Sequence, residues 1–427
     1  MNNYLSTLRA TIVVVKIASR CNLNCSYCYM YNMGDQTYLS QPKVMSDKVV
    51  DKLIERILGH CKLHNIDNYE IVLHGGEPLL AGKEFFRKFV SKANKILVEQ
   101  GGIRVRYVVQ TNGLLLSDDW CKLFAELKIG VGVSLDGTPE DNDQYRIDHK
   151  GKGSYDRIVK GLNQALNSSY FKEKKLGVGV LAVINIDSEP EAVYEHFKSL
   201  SIKSTDVLLP LNNYDQPAPK PSVNNGLSEE SPYGDWLVRL FNIWFYDKSP
   251  NRLRIRFFEG IIKNFLGKNV SSDDFGTKKC EALVIETDGS IEAVDALKVC
   301  GNGFTKAGAT LFTHDFDEAL QTPLANLYHL SHFKLPQKCM ACPVREVCGG
   351  GYLPHRYGNN KGFNNPSIYC EDLLKIITHI QNHLFNNMSE EFLNQANVSQ
   401  LDYLKIKRNF ADFNEAESEE TLELEHF

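Results

Sequence analysis

The sequence predicts an α/β fold with a parallel sheet, and two observations predict it. Strand-like and helix-like segments alternate six times between residues 10 and 210, the pattern of strands joined by crossover helices. Polar or glycine-rich motifs follow directly on the strands, at the end of such sheets that carries chemistry.

Ala10–Ala18 is rich in β-branched residues and reads as the first strand. Ser46 is placed to cap a helix in which Val50, Leu53, Ile54, Ile57 and Cys61 recur at helical spacing. Strand Tyr69–His74 ends in Gly75-Gly76-Glu77-Pro78, and a helix over 83–99 follows. Strand Val105–Gln110 ends in Thr111-Asn112-Gly113, and Ser117 caps the next helix. Strand Gly130–Leu135 ends in Asp136-Gly137. Helix 154–167, strand 176–184, helix 189–200 and strand Asp206–Pro210 complete the series. Beyond it, Gln216–Gly226 reads as a linker. Trp236, Leu240, Phe241 and Trp244 make one apolar helical stripe, and Phe258, Ile261, Ile262 and Phe265 a second. From Cys280 to Cys370 the pattern is irregular and cysteine-rich. A helix over 371–387 follows, then a polar end whose residues 411–427 hold seven acidic side chains and no Lys or Arg, read as frayed.

With 427 residues, 43% hydrophobic and 24% charged, the chain has room for two or three globular domains or a barrel with appendages. A net charge of −5 without a basic block gives no reason to expect a nucleic-acid partner. The apolar run Ile12–Val15 is stopped by Lys16, far short of a membrane span or signal core. No membrane partner and a cytoplasmic location are therefore expected. Eleven cysteines in a reducing compartment are not disulfides. Cys61 and Cys121 stand alone in helical patterns and read as buried apolar residues.

Cys21, Cys25 and Cys28 lie three and then two residues apart. Three thiolates from one loop can hold three irons of a [4Fe–4S] cluster and leave the fourth open to a ligand. A zinc knob is the alternative, but zinc wants a fourth ligand at short spacing.

This CxxxCxxC loop, with aromatic Tyr27 before its last cysteine, resembles the signature of the radical S-adenosylmethionine (SAM) superfamily. The resemblance covers residues 10–210 and implies a partial (β/α)6 barrel with SAM bound at the cluster. Gly75, Gly76 and Glu77 match the superfamily's GGEP motif, whose backbone meets the SAM amino group. Ser134 and Arg146 match ribose and carboxylate contacts in sulfatase maturases, and Tyr27 an adenine contact. Leu181 or Val183 would pack on the adenine ring.

Cys339, Cys342, Cys348 and Cys370 form a second four-thiol set resembling the SPASM domain of peptide-modifying radical SAM enzymes. By this resemblance they hold an outer auxiliary [4Fe–4S] cluster, with a Cys₄ zinc as the alternative. The full module holds two such clusters. Here Tyr352 stands where its fourth cysteine would be, Val294 replaces another, and Cys300 lies six residues too late. Cys280 fits, so a ligand pair of Cys280 and Cys300 for an inner cluster stays open. The chain divides into a barrel (1–210), a helical bridging region (211–275), a SPASM-like domain (276–387) and a tail (388–427).

The stretches Glu286–Lys298 and Cys348–Cys370 resemble the maturases that form three-residue cyclophanes, including the FxSxx-type group. That likeness implies a ribosomal precursor peptide as substrate and a flavodoxin or ferredoxin as external reductant. It implies a bond between an aromatic ring and the Cβ two residues later. Asp295 stands where sulfatase maturases carry their catalytic Asp, with His74 and His355 as further candidate bases. Sulfatase-type or thioether-forming peptide oxidation is the alternative.

Overall fold

The computed structural model describes residues 8–222, 226–268, 270, 272–395, 399–411, 413 and 424–427. It divides into two compact units. Residues 1–182, 200–205 and 281–329 make up the first, and 183–199, 206–280 and 330–427 the second.

The strands are Ile12–Ala18 (β1), Asn68–Gly75 (β2), Arg104–Thr111 (β3), Ile129–Ser134 (β4), Val178–Val183 (β5), Ser204–Leu208 (β6), Arg254–Ile255 (β7), Ala282–Ile285 (β8) and Ile291–Glu292 (β9). In the first unit they run in the order β5-β4-β3-β2-β1-β8-β9. The pairs from β1 to β5 are parallel, as is β1 with β8, and β8 turns back antiparallel to β9. The expected parallel α/β sheet is thus present. Its extension by β8 was missed, because four apolar residues in an irregular stretch carry no periodicity of their own.

Alternation along these strands separates two faces. Val13, Val15, Ile17, Ile71, Leu73, Val109, Val131 and Val133 are wholly or almost wholly buried. His74, Gln110, Ser134 and Leu181 face the other way and are only half-buried. Register brings that second face together: Lys16 lies opposite His74, Gln110 opposite Gly132, and Ser134 opposite Leu181.

The helix Asp47–His64 begins where Ser46 accepts a hydrogen bond from the Val49 N–H. Its Val50, Leu53, Ile54, Ile57 and Cys61 are buried as expected. Ser117 precedes the helix Asp118–Leu127 but makes no capping bond through its side chain. The helix expected over 83–99 is α-helical to Ala93 and widens into a π-helix over Asn94–Gln100.

In the second unit the helix Pro232–Tyr246 packs against Pro190–Ser199 and Cys370–Asn386. It buries Trp236, Leu240, Phe241 and Trp244, and Phe258 meets Phe241 at 5.3 Å between ring centres. Each such side chain contributes about 1.5–3 kcal/mol of transfer free energy. Part of the expected polar tail is folded. Tyr403–Ala411 is a helix against Cys370–Asn386, with Ile406 buried and Lys407 bonded to Glu371 at 2.8 Å. Most of 412–423 lies outside the described residues. Leu424 is buried, and its carbonyl accepts from the Phe363 N–H. All eleven cysteines are free thiols, and Cys61 and Cys121 are buried inside helices. No helix among the described residues is long and apolar enough to cross a membrane.

Candidate active site

The three-cysteine loop follows β1 and is held from one side by residues 145–149. Asn24 N–H donates to the Ile147 carbonyl, Ser26 N–H to that of Tyr145, and His149 Nε2 lies 3.0 Å from the Cys21 carbonyl. Burial pushes the Cys21 thiol up to about 12. Burial, with Cys25 as a negative neighbour, takes Cys28 to about 11. Crowded thiols that resist ionisation are what a positively charged metal centre would convert to thiolates.

Spacing tests which centre fits. Among the described residues only His60, His64 and Asp317 bring three ligand atoms within 4.8 Å of one another. A single tetrahedral zinc with Zn–S bonds of about 2.3 Å would hold its sulfurs about 3.8 Å apart. Neither cysteine set stands that close, whereas a four-iron cube needs its thiolates farther apart. The His60 group is a hydrogen-bonded clamp. Ala10 N–H donates to His60 Nε2, so the ring proton sits on Nδ1, facing Asp317 at 2.9 Å.

The glycine motif closes on the same loop. A Cβ on Gly76 would fall 1.9 Å from the Tyr31 hydroxyl and 2.6 Å from the Arg20 carbonyl, so only glycine lets β2 approach there. Glu77 is fully buried and tied to its own chain. Its carboxylate accepts from Leu79 N–H at 3.0 Å, Thr111 Oγ1 at 2.7 Å and Asn112 N–H at 2.8 Å. Asn112 in turn donates to Asn22 Oδ1 at 2.7 Å, inside the cysteine loop. Glu77 is therefore a clamp between the ends of β2 and β3. Glu77→Gln would turn an acceptor into a donor facing donors. It is expected to destabilise the fold by about 1–3 kcal/mol, read as a lower thermal midpoint. An unchanged midpoint would remove this role.

Tyr27, Asp136 and Arg146 interlock. The Tyr27 hydroxyl donates to Asp136 Oδ2 and accepts from Arg146 Nη1 at 2.8 Å. Arg146 is buried, and its Nε has no partner in the protein, an orphaned donor that suits an acceptor group on a ligand. Ser134 Oγ accepts from Gln110 Nε2 at 2.9 Å, and Gly132 leaves the room that Gln110 fills. Leu181 lies opposite Ser134 on β5.

Asp295 begins a 3₁₀ turn after β9 and is buried. It pairs with Lys16 and accepts from the Tyr29 hydroxyl at 2.7 Å. Burial alone would raise its carboxyl, but the charge of Lys16 and the hydrogen bonds from Lys16 and Tyr29 hold it well below the usual carboxylate range. Lys16 Nζ also lies 2.8 Å from His74 Nδ1. The ammonium has only protons to offer, so His74 keeps its own on Nε2. Burial and Lys16 push the imidazole down to about 3, so it stays neutral. Lys16, Tyr29, Gln110, Asn112 and Asp136 were not anticipated as site residues. The local signals were a lysine inside a run of β-branched strand residues and, for Asn112 and Asp136, a place directly after a strand.

Residues 15–193 match the Radical SAM superfamily model. That stretch is a radical SAM domain. A cysteine-type anaerobic sulfatase-maturating enzyme of Clostridium novyi is 28% identical over 370 residues, 84% of this chain and 92% of that one. Native anSMEcpe with bound AdoMet superposes at a TM-score of 0.73 with 26% identity, over 88% of this chain and 98% of that one. The same protein with AdoMet and the Kp18Cys peptide gives 0.72.

Five of the remaining thiols, Cys280, Cys339, Cys342, Cys348 and Cys370, lie in the second unit. Cys339, Cys342, Cys348 and Cys370 all line one cavity, together with Ile406 and Phe410. Burial pushes Cys348 up to about 12, with Cys339 and Cys342 as negative neighbours. Cys280 is buried 3.7 Å from Ser331 Oγ in the second unit, and Cys300 belongs to the first. His355 is buried between Tyr352 and Tyr369, ring centres 5.5 and 4.8 Å away.

Proposed function

We propose that this enzyme matures a ribosomally made precursor peptide by joining a Cβ to the ring of an aromatic residue two positions earlier. What carries the reading is the thiol inventory of the second unit, where one cavity is lined by four cysteines. Tyr352 and Val294 stand where a two-cluster module has cysteine, the pattern that resembles cyclophane-forming maturases.

When bound, the three-thiol [4Fe–4S] cluster with SAM supplies a 5′-deoxyadenosyl radical, and the auxiliary cluster accepts one electron. The first electron comes from a flavodoxin- or ferredoxin-type donor. Cys21, Cys25 and Cys28 hold the first cluster, and Cys339, Cys342, Cys348 and Cys370 the second. Gly75, Gly76, Ser134, Arg146, Tyr27 and Leu181 orient SAM against the half-open face of the strands. The peptide loses a hydrogen atom from Cβ, and the ring it joins loses one proton and one electron. Asp295 takes that proton. Lys16 keeps it a weak base, which suffices because a ring that regains aromaticity on deprotonation is strongly acidic. His74, neutral and protonated on Nε2, offers a hydrogen bond rather than a base.

The likeness to sulfatase-maturating enzymes over 84% of the chain supports a second reading, oxidation of a Cys or Ser to formylglycine. Mass spectrometry separates the two on a short peptide encoded beside the enzyme. The cyclophane product is expected to be two hydrogens lighter, to resist backbone fragmentation between the linked residues, and to place Cβ deuterium in 5′-deoxyadenosine. A product that reacts with a hydrazine as an aldehyde would replace this reading with the second.

A further inference from the structure

Arg356 ends a short 3₁₀ helix, Leu353–Arg356, that follows the glycines at 349–351. Its side chain is fully buried. Nη1 donates to the Ser331 carbonyl at 2.9 Å, and Nη2 to the carbonyls of Lys334 at 2.8 Å and Phe363 at 3.2 Å. Nε has no partner. No carboxylate among the described residues pairs with it, in a protein whose other buried cations, Lys16, Arg146 and Lys298, each hold an acid.

A guanidinium is permanently charged and is seldom buried without an opposite charge. Carbonyl groups solvate it but do not neutralise it. Once ionised, the thiols of Cys339 and Cys348 are the negative groups that would act on Arg356. A Cβ on Gly350, which lines the four-thiol cavity, would lie 3.9 Å from Nη1. A [4Fe–4S] cube on four thiolates carries about two negative charges when oxidised and about three when reduced. Attraction to a fixed cation in a low-dielectric interior grows with that charge.

We infer that Arg356 is the buried counter-ion of the auxiliary cluster and raises its reduction potential, making it a better acceptor of the electron released when the substrate ring rearomatises. The inference rests on the reading that Cys339, Cys342, Cys348 and Cys370 hold a [4Fe–4S] cluster. Arg356 touches neither peptide nor SAM and acts through the cluster. Lys338 also lines the cavity but is only half-buried, so solvent screens its charge.

The test is a potentiometric titration followed by EPR, on full-length protein carrying Cys21→Ala, Cys25→Ala and Cys28→Ala, so that one cluster gives the signal. Iron content of this parent tests the underlying reading by itself. A parent without a four-iron cluster would overturn that reading and the inference together. In Arg356→Gln the reduced-to-oxidised ratio at fixed potential is expected to fall at least tenfold, a shift of about 59 mV for one electron. Arg356→Lys, which keeps the charge but not the fork of donors, is expected to stay within a few-fold of the parent. Lys338→Gln is expected to move it less than Arg356→Gln does. Loss of the cluster in Arg356→Gln but not in Arg356→Lys would support the same conclusion, since charge alone separates the two. An unshifted potential in Arg356→Gln, or loss of the cluster in both variants, would overturn the inference and leave Arg356 as a clamp on the Ser331, Lys334 and Phe363 carbonyls.

Discussion

Changing Cys21, Cys25 and Cys28 together to Ala is expected to leave about four irons where the anaerobically reconstituted enzyme holds about eight, and to end formation of 5′-deoxyadenosine. The three thiols sit on one short loop, clamped by residues 145–149 and by Asn112, with no substitute thiol beside them in the first unit at cluster spacing in sequence. Cys342→Ala is expected to do the reverse, removing the auxiliary irons while SAM is still cleaved and peptide product is lost. Iron and sulfide analysis with product chromatography reads both. About twelve irons in the parent would show that Cys280 and Cys300 take part in a third cluster. Stoichiometric zinc would overturn the auxiliary one.

Lys16→Met is expected to cost about 3–5 kcal/mol of stability, because it leaves Asp295 buried without its cation. Asp295→Asn strands Lys16 in the same way and should also slow peptide product more than SAM cleavage. The double variant is expected to be less destabilised than the two single changes together, since neither charge is then left unpaired. Full additivity in denaturant unfolding would show the pair to be uncoupled. The pH dependence has a definite sign. The folded Asp295 carboxyl lies below its unfolded value of about 3.9, so the pair stabilises the protein fully above that value. Its contribution is lost as pH falls through the folded value. Acid unfolding of Lys16→Met should therefore lose part of its steepness below pH of about 4.

What could be read from the sequence was what is local. Cys21, Cys25 and Cys28 announce themselves by spacing, and Gly75–Pro78 by its place after a strand. The first strands were legible because short β-branched runs alternate with helical patterns along the chain. Asp295 was suggested by resemblance, but nothing local to it reveals Lys16, 279 positions away, or the Tyr29 hydroxyl that shares the carboxylate. Arg146 was expected as a grip on a ligand. That Tyr27 already occupies one of its nitrogens depends on two loops meeting, which no periodicity records. The helix Tyr403–Ala411 was hidden for a different reason. Its apolar residues are interrupted by Lys405, Lys407, Arg408 and Asn409, and Ile406 is its buried anchor against the helix Cys370–Asn386.

The position of β8 beside β1 sets an order of events during synthesis. β1 can pair with β2 as soon as residue 75 has left the ribosome, but its other edge waits for Ala282–Ile285, some 270 residues later. At about 5–20 residues per second that interval is on the order of 15 to 50 seconds. Throughout it the nascent chain carries an apolar strand with an open edge, the kind of surface on which unfinished chains adhere to one another. Lys16, on that same strand, has no carboxylate to meet until Asp295 follows. The cysteine loop is by then long exposed to whatever delivers iron, so the metal can arrive before the sheet that will shelter it is complete.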